Sequence, residues 1–262
     1  MQSTFTGLIG RESELRILTE HIQSGKGIHI YGSDGTGKTS LLLWINANCR
    51  YIDSSITPIY CNNGRNLRNI LLCISGYFLN QFKKLEFTDR YCRRYEVLKT
   101  HQLNSLNIDI LKKIIYSCIS KHNLCIILDH LDNVTPRINS FLSVLHEKTV
   151  VITASRQSWE IRDFKCRGNL GYSLYLTPKL RIENLGREAA FILMENIYHK
   201  SSIMVNNPQK FFKQVYQLTK GNPGMILDIF KLSKSGKYVS DGNIALNLLL
   251  IDREIEKIEK EQ

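Results

Sequence analysis

The sequence predicts an α/β fold, a five-stranded parallel sheet flanked by helices and followed by a small all-helical lid domain, and three observations predict it. The first is Gly32-Ser33-Asp34-Gly35-Thr36-Gly37-Lys38-Thr39-Ser40, which fits the phosphate-loop pattern G-x-x-x-x-G-K-[ST] at every fixed position. The second is the alternation of short apolar runs with helical patterns as far as residue 180, the signature of parallel strands joined by crossover helices. The third is the apolar run Leu124 to Leu128 ending at Asp129, which delivers a carboxylate at the strand end where open parallel sheets place their ligands. The first domain therefore reads as a P-loop NTPase core.

Taken in order, GLIGRESELRILTEHIQSG opens with an extended apolar step and continues as a helix with Leu15, Leu18 and Ile22 on one face. Gly27 to Tyr31 is a short buried strand and Ser40 to Cys49 has helical spacing, so the loop has the strand-loop-helix setting that its chemistry needs. Gly32, Gly35 and Gly37 let the backbone turn and aim its N–H groups at phosphate oxygens, and the next helix points the positive end of its dipole at the same anion. Lys38 is expected to reach the β- and γ-phosphates, and Thr39 to place its hydroxyl on Mg²⁺. Ser33, Asp34, Thr36 and Ser40 complete the nucleotide-binding loop, so ATP and Mg²⁺ are the expected cofactors.

Thr57 to Asn63 is the next strand, with an apolar helix from Asn66 to Phe82 behind it. Between Lys83 and His101 the residues Lys83, Lys84, Arg90, Arg93, Arg94 and Lys99 interleave with Phe87, Tyr91 and Tyr95. That mixture suits a nucleic-acid backbone, or else a solvated helical face whose aromatics pack inward. A helix from Ile108 to Asn123 leads into the Asp129 strand, where Asp129 is expected to hold Mg²⁺ opposite Thr39. A helix and strand follow, ending in the polar tip Thr153, Ser155 and Arg156, and YSLYLTP (172–178) is the last expected strand. Helical patterns then run on, broken at Asn206-Asn207-Pro208 and Gly221-Asn222-Pro223-Gly224. The expected organisation is a core over 1–180, a lid over 181–236, and a C-terminal helix or tail over 237–262.

Composition narrows the function classes. A 262-residue chain that is 43% hydrophobic supports a substantial core. Its apolar runs are far shorter than the ~20 residues of a membrane span, and Met1 to Gly10 does not read as a secretory signal, so an intracellular, cytoplasmic or nuclear location is expected. Seven cysteines without any C-x-x-C pair point to reduced core residues and away from a zinc site. A net charge of +11 favours polyanionic partners, nucleic acid foremost.

The box Gly10-Arg11-Glu12-Ser13-Glu14-Leu15 ahead of the phosphate loop resembles the entry segment of the STAND ATPases and of the AAA+ initiator clade, which contains the origin-recognition and Cdc6-type ATPases. The resemblance covers roughly Leu8 to Phe230. It implies that Leu8, Ile9 and Arg11 lie beside the adenine and that Leu124 to Asp129 is a Walker B strand. The family has Glu after that aspartate to polarise the attacking water; this chain has His130, leaving Asp132 as the nearest acid. Arg156 matches the position that reads the γ-phosphate in the sensor 1 strand. Arg162 or Arg167, the latter the better match, corresponds to an arginine finger acting on a neighbouring subunit. Pro223 matches a lid proline that touches the nucleotide, whereas Gly224 stands where many AAA+ proteins have a sensor 2 arginine.

What the resemblance implies is an ATP-binding, slowly hydrolysing switch or assembly factor on DNA, of the replication-initiation, helicase-loading or transposition-regulation type, working as a homo- or hetero-oligomer. Two alternatives stay open: a non-hydrolysing ATP-binding scaffold subunit, and a STAND signalling ATPase, which the lack of a repeat sensor domain disfavours. After Lys237 one helix is expected, IALNLLLIDREIEKIEKEQ (244–262), which leaves no room for a winged-helix domain.

Overall fold

The computed structural model describes residues 8–88, 94–160, 173–201, 203–234, 237–240, 243–249, 251–252 and 255. They fall into two compact units: Ser13–Gly32 with Lys38–Ile182, and the described parts of Met1–Glu12, Ser33–Gly37 and Glu183–Gln262. In the first, α1 (Glu12–Gln23), β1 (Ile28–Tyr31), α2 (Lys38–Ile52), β2 (Thr57–Cys61) and α3 (Leu67–Phe82) follow one another. Next come β3 (Leu85–Thr88), β4 (Arg94–Val97), α4 (Thr100–Ser105), α5 (Ile108–Ile119) and β5 (Leu124–Leu128). The unit ends with α6 (Pro136–Lys148), β6 (Val150–Ser155), α7 (Ser173–Leu176) and β7 (Lys179–Arg181).

Five strands form one sheet in the order β2-β5-β6-β1-β7, every pair parallel. Both faces of its centre are covered, which is why β5 is an unbroken apolar run with all five residues buried. Phe78, Leu111, Ile115, Phe141 and Leu142 supply much of the surrounding core. Asn66, Asn107 and Thr135 each accept a hydrogen bond from the backbone N–H three residues on, capping α3, α5 and α6. Because β6 lies between β5 and β1, the carboxyl ends of these three strands stand side by side, and the phosphate loop leaves from the last of them.

Two segments differ from expectation. The last strand is Lys179–Arg181, paired with His29–Tyr31, while Ser173–Leu176 within the expected strand turns as a helix. The Tyr/Leu alternation there reads as a strand, but Lys179 Nζ donates to the carbonyls of Leu174, Tyr175 and Thr177 and so satisfies the end of a helical turn. Within the basic segment after α3, β3 and β4 pair antiparallel, with Leu85 opposite Val97 and Glu86 opposite Glu96.

The second unit packs α8 (Arg187–His199), α9 (Pro208–Thr219) and α10 (Pro223–Ser233) around Met194, Phe211, Phe212, Val215, Ile226 and Phe230. Rings of Phe211 and Phe230 meet at 5.3 Å. Asn207 and Asn222 cap α9 and α10, each followed by proline at the first helical position, where its missing N–H costs nothing. In the C-terminal segment β8 (Val239–Ser240) and β9 (Asn243–Ile244) pair antiparallel, and helical residues follow at 246–249, within the run expected to be helical.

Candidate functional site

At the carboxyl end of β5, Asp129 is 2% exposed and its carboxylate is fully engaged. Thr39 Oγ1 donates to Oδ2 at 2.7 Å, the Tyr60 hydroxyl donates to the same oxygen at 3.1 Å, and the His130 backbone N–H donates to Oδ1 at 2.8 Å. Three donors on a buried carboxylate offset the cost of removing it from water. Burial, reinforced by the Asp129 charge, pushes the Tyr60 phenol up to about 12, so Tyr60 remains a neutral donor. Lys38 Nζ donates to the Gly32 carbonyl at 2.8 Å, folding the lysine back over the first residue of its own loop.

Thr39 and Asp129 thus meet from elements far apart in sequence, and both offer oxygen. Among the described residues no group of three His, Cys, Asp or Glu side chains gathers as a self-sufficient metal site. An oxygen pair of this kind fits Mg²⁺, which keeps several waters and takes phosphate oxygens as its remaining partners.

His130 follows Asp129 in the left-handed backbone region at φ 56, with its Nε2 3.7 Å from Asp129 Oδ2 and its side chain 48% exposed. Asp132 and Arg156, placed separately by sequence, are brought together: the Arg156 N–H donates to Asp132 Oδ1 at 2.8 Å and its Nε lies 3.5 Å from the same oxygen. Thr153 and Ser155 point away from that pair. Their hydroxyls bond the buried ring of His29 at 2.7 and 3.3 Å, and His29 Nε2 also meets the Gln157 carbonyl at 2.8 Å.

In the other unit, the loop tip Ser33–Gly37 is held by main chain and by two polar side chains. Asn222 Nδ2 donates to the Asp34 carbonyl at 2.9 Å, and the Gly224 N–H donates to the Gly35 carbonyl at 2.8 Å. Gly35 adopts φ 77 against the Asn222 amide, and a side chain at Gly224 would run into the Gly35 Cα, so both positions need glycine. This is a physical reason for glycine at the position where a sensor 2 arginine is expected. Pro223 opens α10 in the same turn. Arg11, expected beside the base, is 6% exposed and donates to the carbonyls of Thr36 at 2.8 Å and Glu183 at 2.7 Å, bracing the loop tip. Leu8 and Ile9 line a cavity of about 570 Å³ together with Leu193, Asn196 and Ile197.

The remaining candidates are dispersed. Arg90, Arg93, Arg162 and Arg167 lie outside the described residues, and Arg94 is on β4. Lys84 is taken up by Glu86 and Glu96 at 2.8 and 2.9 Å, which neutralises it beside the β3-β4 pair. Lys99 precedes α4, its N–H bonded to the Gln102 side chain. Tyr60, His29 and Asn222 are the site residues that sequence reasoning missed. Only Asn222 carried a signal, as an Asn-Pro helix start.

No protein-family model matches the chain, and no curated protein matches it in sequence. Solved structures do. The Orc1 protein of Aeropyrum pernix in complex with DNA matches at TM-score 0.63 and 16% identity over 95% of this chain and 65% of its own. The ORC2 protein of the same organism, in its ADP form, matches at 0.60 and 15% over 93% and 68%. The chain shares the fold of these proteins. A Walker-type ATPase of Pyrococcus abyssi also shares it, at 0.57 and 14% over 97% and 77%. The chain spans 65% of the length of the Orc1 protein that it matches. No described helix is long and apolar enough to cross a membrane.

Proposed function

We propose that the chain binds ATP with Mg²⁺ on the Gly32–Ser40 loop, hydrolyses it slowly, and uses the nucleotide state to switch its own assembly on DNA. The observation that carries the reading is the 2.7 Å bond between Thr39 and Asp129, which joins the loop hydroxyl to the strand-end carboxylate. Lys38 would leave the Gly32 carbonyl to meet the β- and γ-phosphates, and Thr39 and Asp129 would hold the metal, which neutralises phosphate charge when bound. Arg156 would sense the γ-phosphate, Asp132 would help orient water, and Arg167 or Arg162 would act across a subunit boundary. Leu8, Ile9 and Arg11 would lie beside the adenine, as the resemblance of their box implies. DNA as the polyanion is supported by the net charge of +11 and by an AAA+ neighbour solved on DNA.

A second reading, a non-hydrolysing scaffold that keeps ATP as a structural ligand, is favoured by His130 in place of a carboxylate and by Gly224. Mass measurement by light scattering, with and without ATP and DNA, tests the first reading beside phosphate release. The switch predicts an ATP-dependent larger species that decays as phosphate appears, both lost in Lys38→Ala. A stable ATP-bound species with no phosphate release supports the scaffold; no ATP binding at all overturns both.

A further inference from the structure

The end of the sheet opposite Asp129 carries a groove that none of this uses. Where β2, β5 and β6 begin, a space of about 620 Å³ is lined by Ser55, Thr57, Ser120, Lys121, His122 and Lys148 among others, and no lining residue is a carboxylate. Neither lysine has a carboxylate partner among the described residues, in contrast to Lys84, clamped between Glu86 and Glu96. The adjoining cavity of about 360 Å³ shares Ser55 and Lys148 but adds Asp53 and Glu147. Two hydrogen bonds from Ser55 hold the Asp53 carboxyl below its usual range, so the adjoining cavity is the acidic neighbour of the groove.

Beside the groove stands an aromatic platform. Phe82 ends α3, its ring stacked on His122 at 5.1 Å and on Phe78 at 5.9 Å, yet 41% of the residue is exposed. A ring fixed by its neighbours and still open to solvent is preorganised to take one more flat group. Lysines without acidic partners beside such a ring are the two parts of a single-strand site, in which the backbone tracks the charge and an unstacked base covers the ring. A duplex keeps its bases stacked and offers none for Phe82.

We infer that this groove binds single-stranded nucleic acid, with phosphates at Lys121 and Lys148 and one base stacked on Phe82. The inference rests on the DNA part of the reading above and on none of its ATP chemistry. The test is anisotropy of a fluorescein-labelled 20-nucleotide oligo(dT), and of the matching duplex, titrated with the full chain and MgATP from ~50 mM salt upward. ATP binding is measured on the same samples, and thermal unfolding checks that every variant is folded. Lys121→Ala with Lys148→Ala should make the log-log salt slope shallower by about 1.4, at ~0.7 per phosphate. Phe82→Leu keeps an apolar side chain against Phe78 and should weaken binding about fivefold to a hundredfold with the slope unchanged. Wild-type binding that the groove variants leave intact overturns the groove and spares the DNA reading. Equal losses on duplex and single strand overturn the single-strand assignment. A wild type that binds ATP but neither oligonucleotide removes the DNA reading and the groove with it.

Discussion

The two ends of the sheet solve opposite problems. At the carboxyl end a single buried carboxylate is tied down by Thr39, Tyr60 and the His130 backbone, and Lys38 is occupied by a loop carbonyl. At the amino end Lys121 and Lys148 border an open groove with no carboxylate partner. The difference follows from desolvation. A buried charge must be satisfied internally, so its site is prearranged and a ligand enters by replacing existing bonds. An exposed lysine is satisfied by water and stays available, at a modest cost in side-chain entropy when it engages a ligand. Specific chemistry is accordingly expected at the first end and salt-sensitive polyanion binding at the second.

The largest effect of a substitution is expected at the carboxyl end. Lys38→Ala removes the cation that meets the phosphates, and ATP affinity should fall about 100-fold or more, at 1.5–3 kcal/mol per charged hydrogen bond; unchanged affinity in calorimetry contradicts the site. At the amino end the expected effect is on stability. Burial pushes the His146 imidazole down to about 4, and its Nε2 has no hydrogen-bond partner. Below the unfolded value of ~6.5 the unfolded chain takes up a proton that the folded chain refuses, so stability present above pH ~6.5 is lost as pH falls toward 4. Urea melts at two pH values should show the wild type losing about 2 kcal/mol more than His146→Gln; equal losses count against this account.

Two smaller effects sharpen the picture of the buried carboxylate. If the chain hydrolyses ATP as proposed, His130→Glu would supply a carboxylate base and should raise turnover about tenfold; a fast wild type that the change does not improve refutes the slow-switch reading. Tyr60→Phe removes one of two donors to Asp129 Oδ2, and the Mg²⁺ concentration for half-maximal ATP binding should shift about threefold to tenfold, the worth of one hydrogen bond. An unshifted Mg²⁺ profile shows that Tyr60 does not position the carboxylate.

The parallel sheet, the phosphate loop and Asp129 were legible because each is written in contiguous residues: a loop of fixed spacing, and an apolar run ending in an acid. Tyr60 was not, since its role comes from the register that sets Tyr60 beside Ile127 in the neighbouring strand. Thr153 and Ser155 read as a polar strand tip, but period-two alternation sends both to one side, where His29 of β1 takes them up. Arg11 looked like a base-pocket residue because its box resembles the family's; its geometry is fixed by two carbonyls from distant segments. The basic stretch after α3 showed its charges but not the Glu86 and Glu96 that strand pairing brings against Lys84. Positions tied to local pattern were readable, and those set by long-range pairing were not.

The most direct test of the central claim is calorimetric titration of ATP, with Mg²⁺ and with EDTA, into the wild type and Asp129→Asn. The account predicts that Mg²⁺ tightens ATP binding to the wild type at least about tenfold and that Asp129→Asn, still folded, loses most of that gain while retaining metal-free binding. A wild type that binds no ATP, or a variant whose Mg²⁺ gain equals the wild type's, would contradict it.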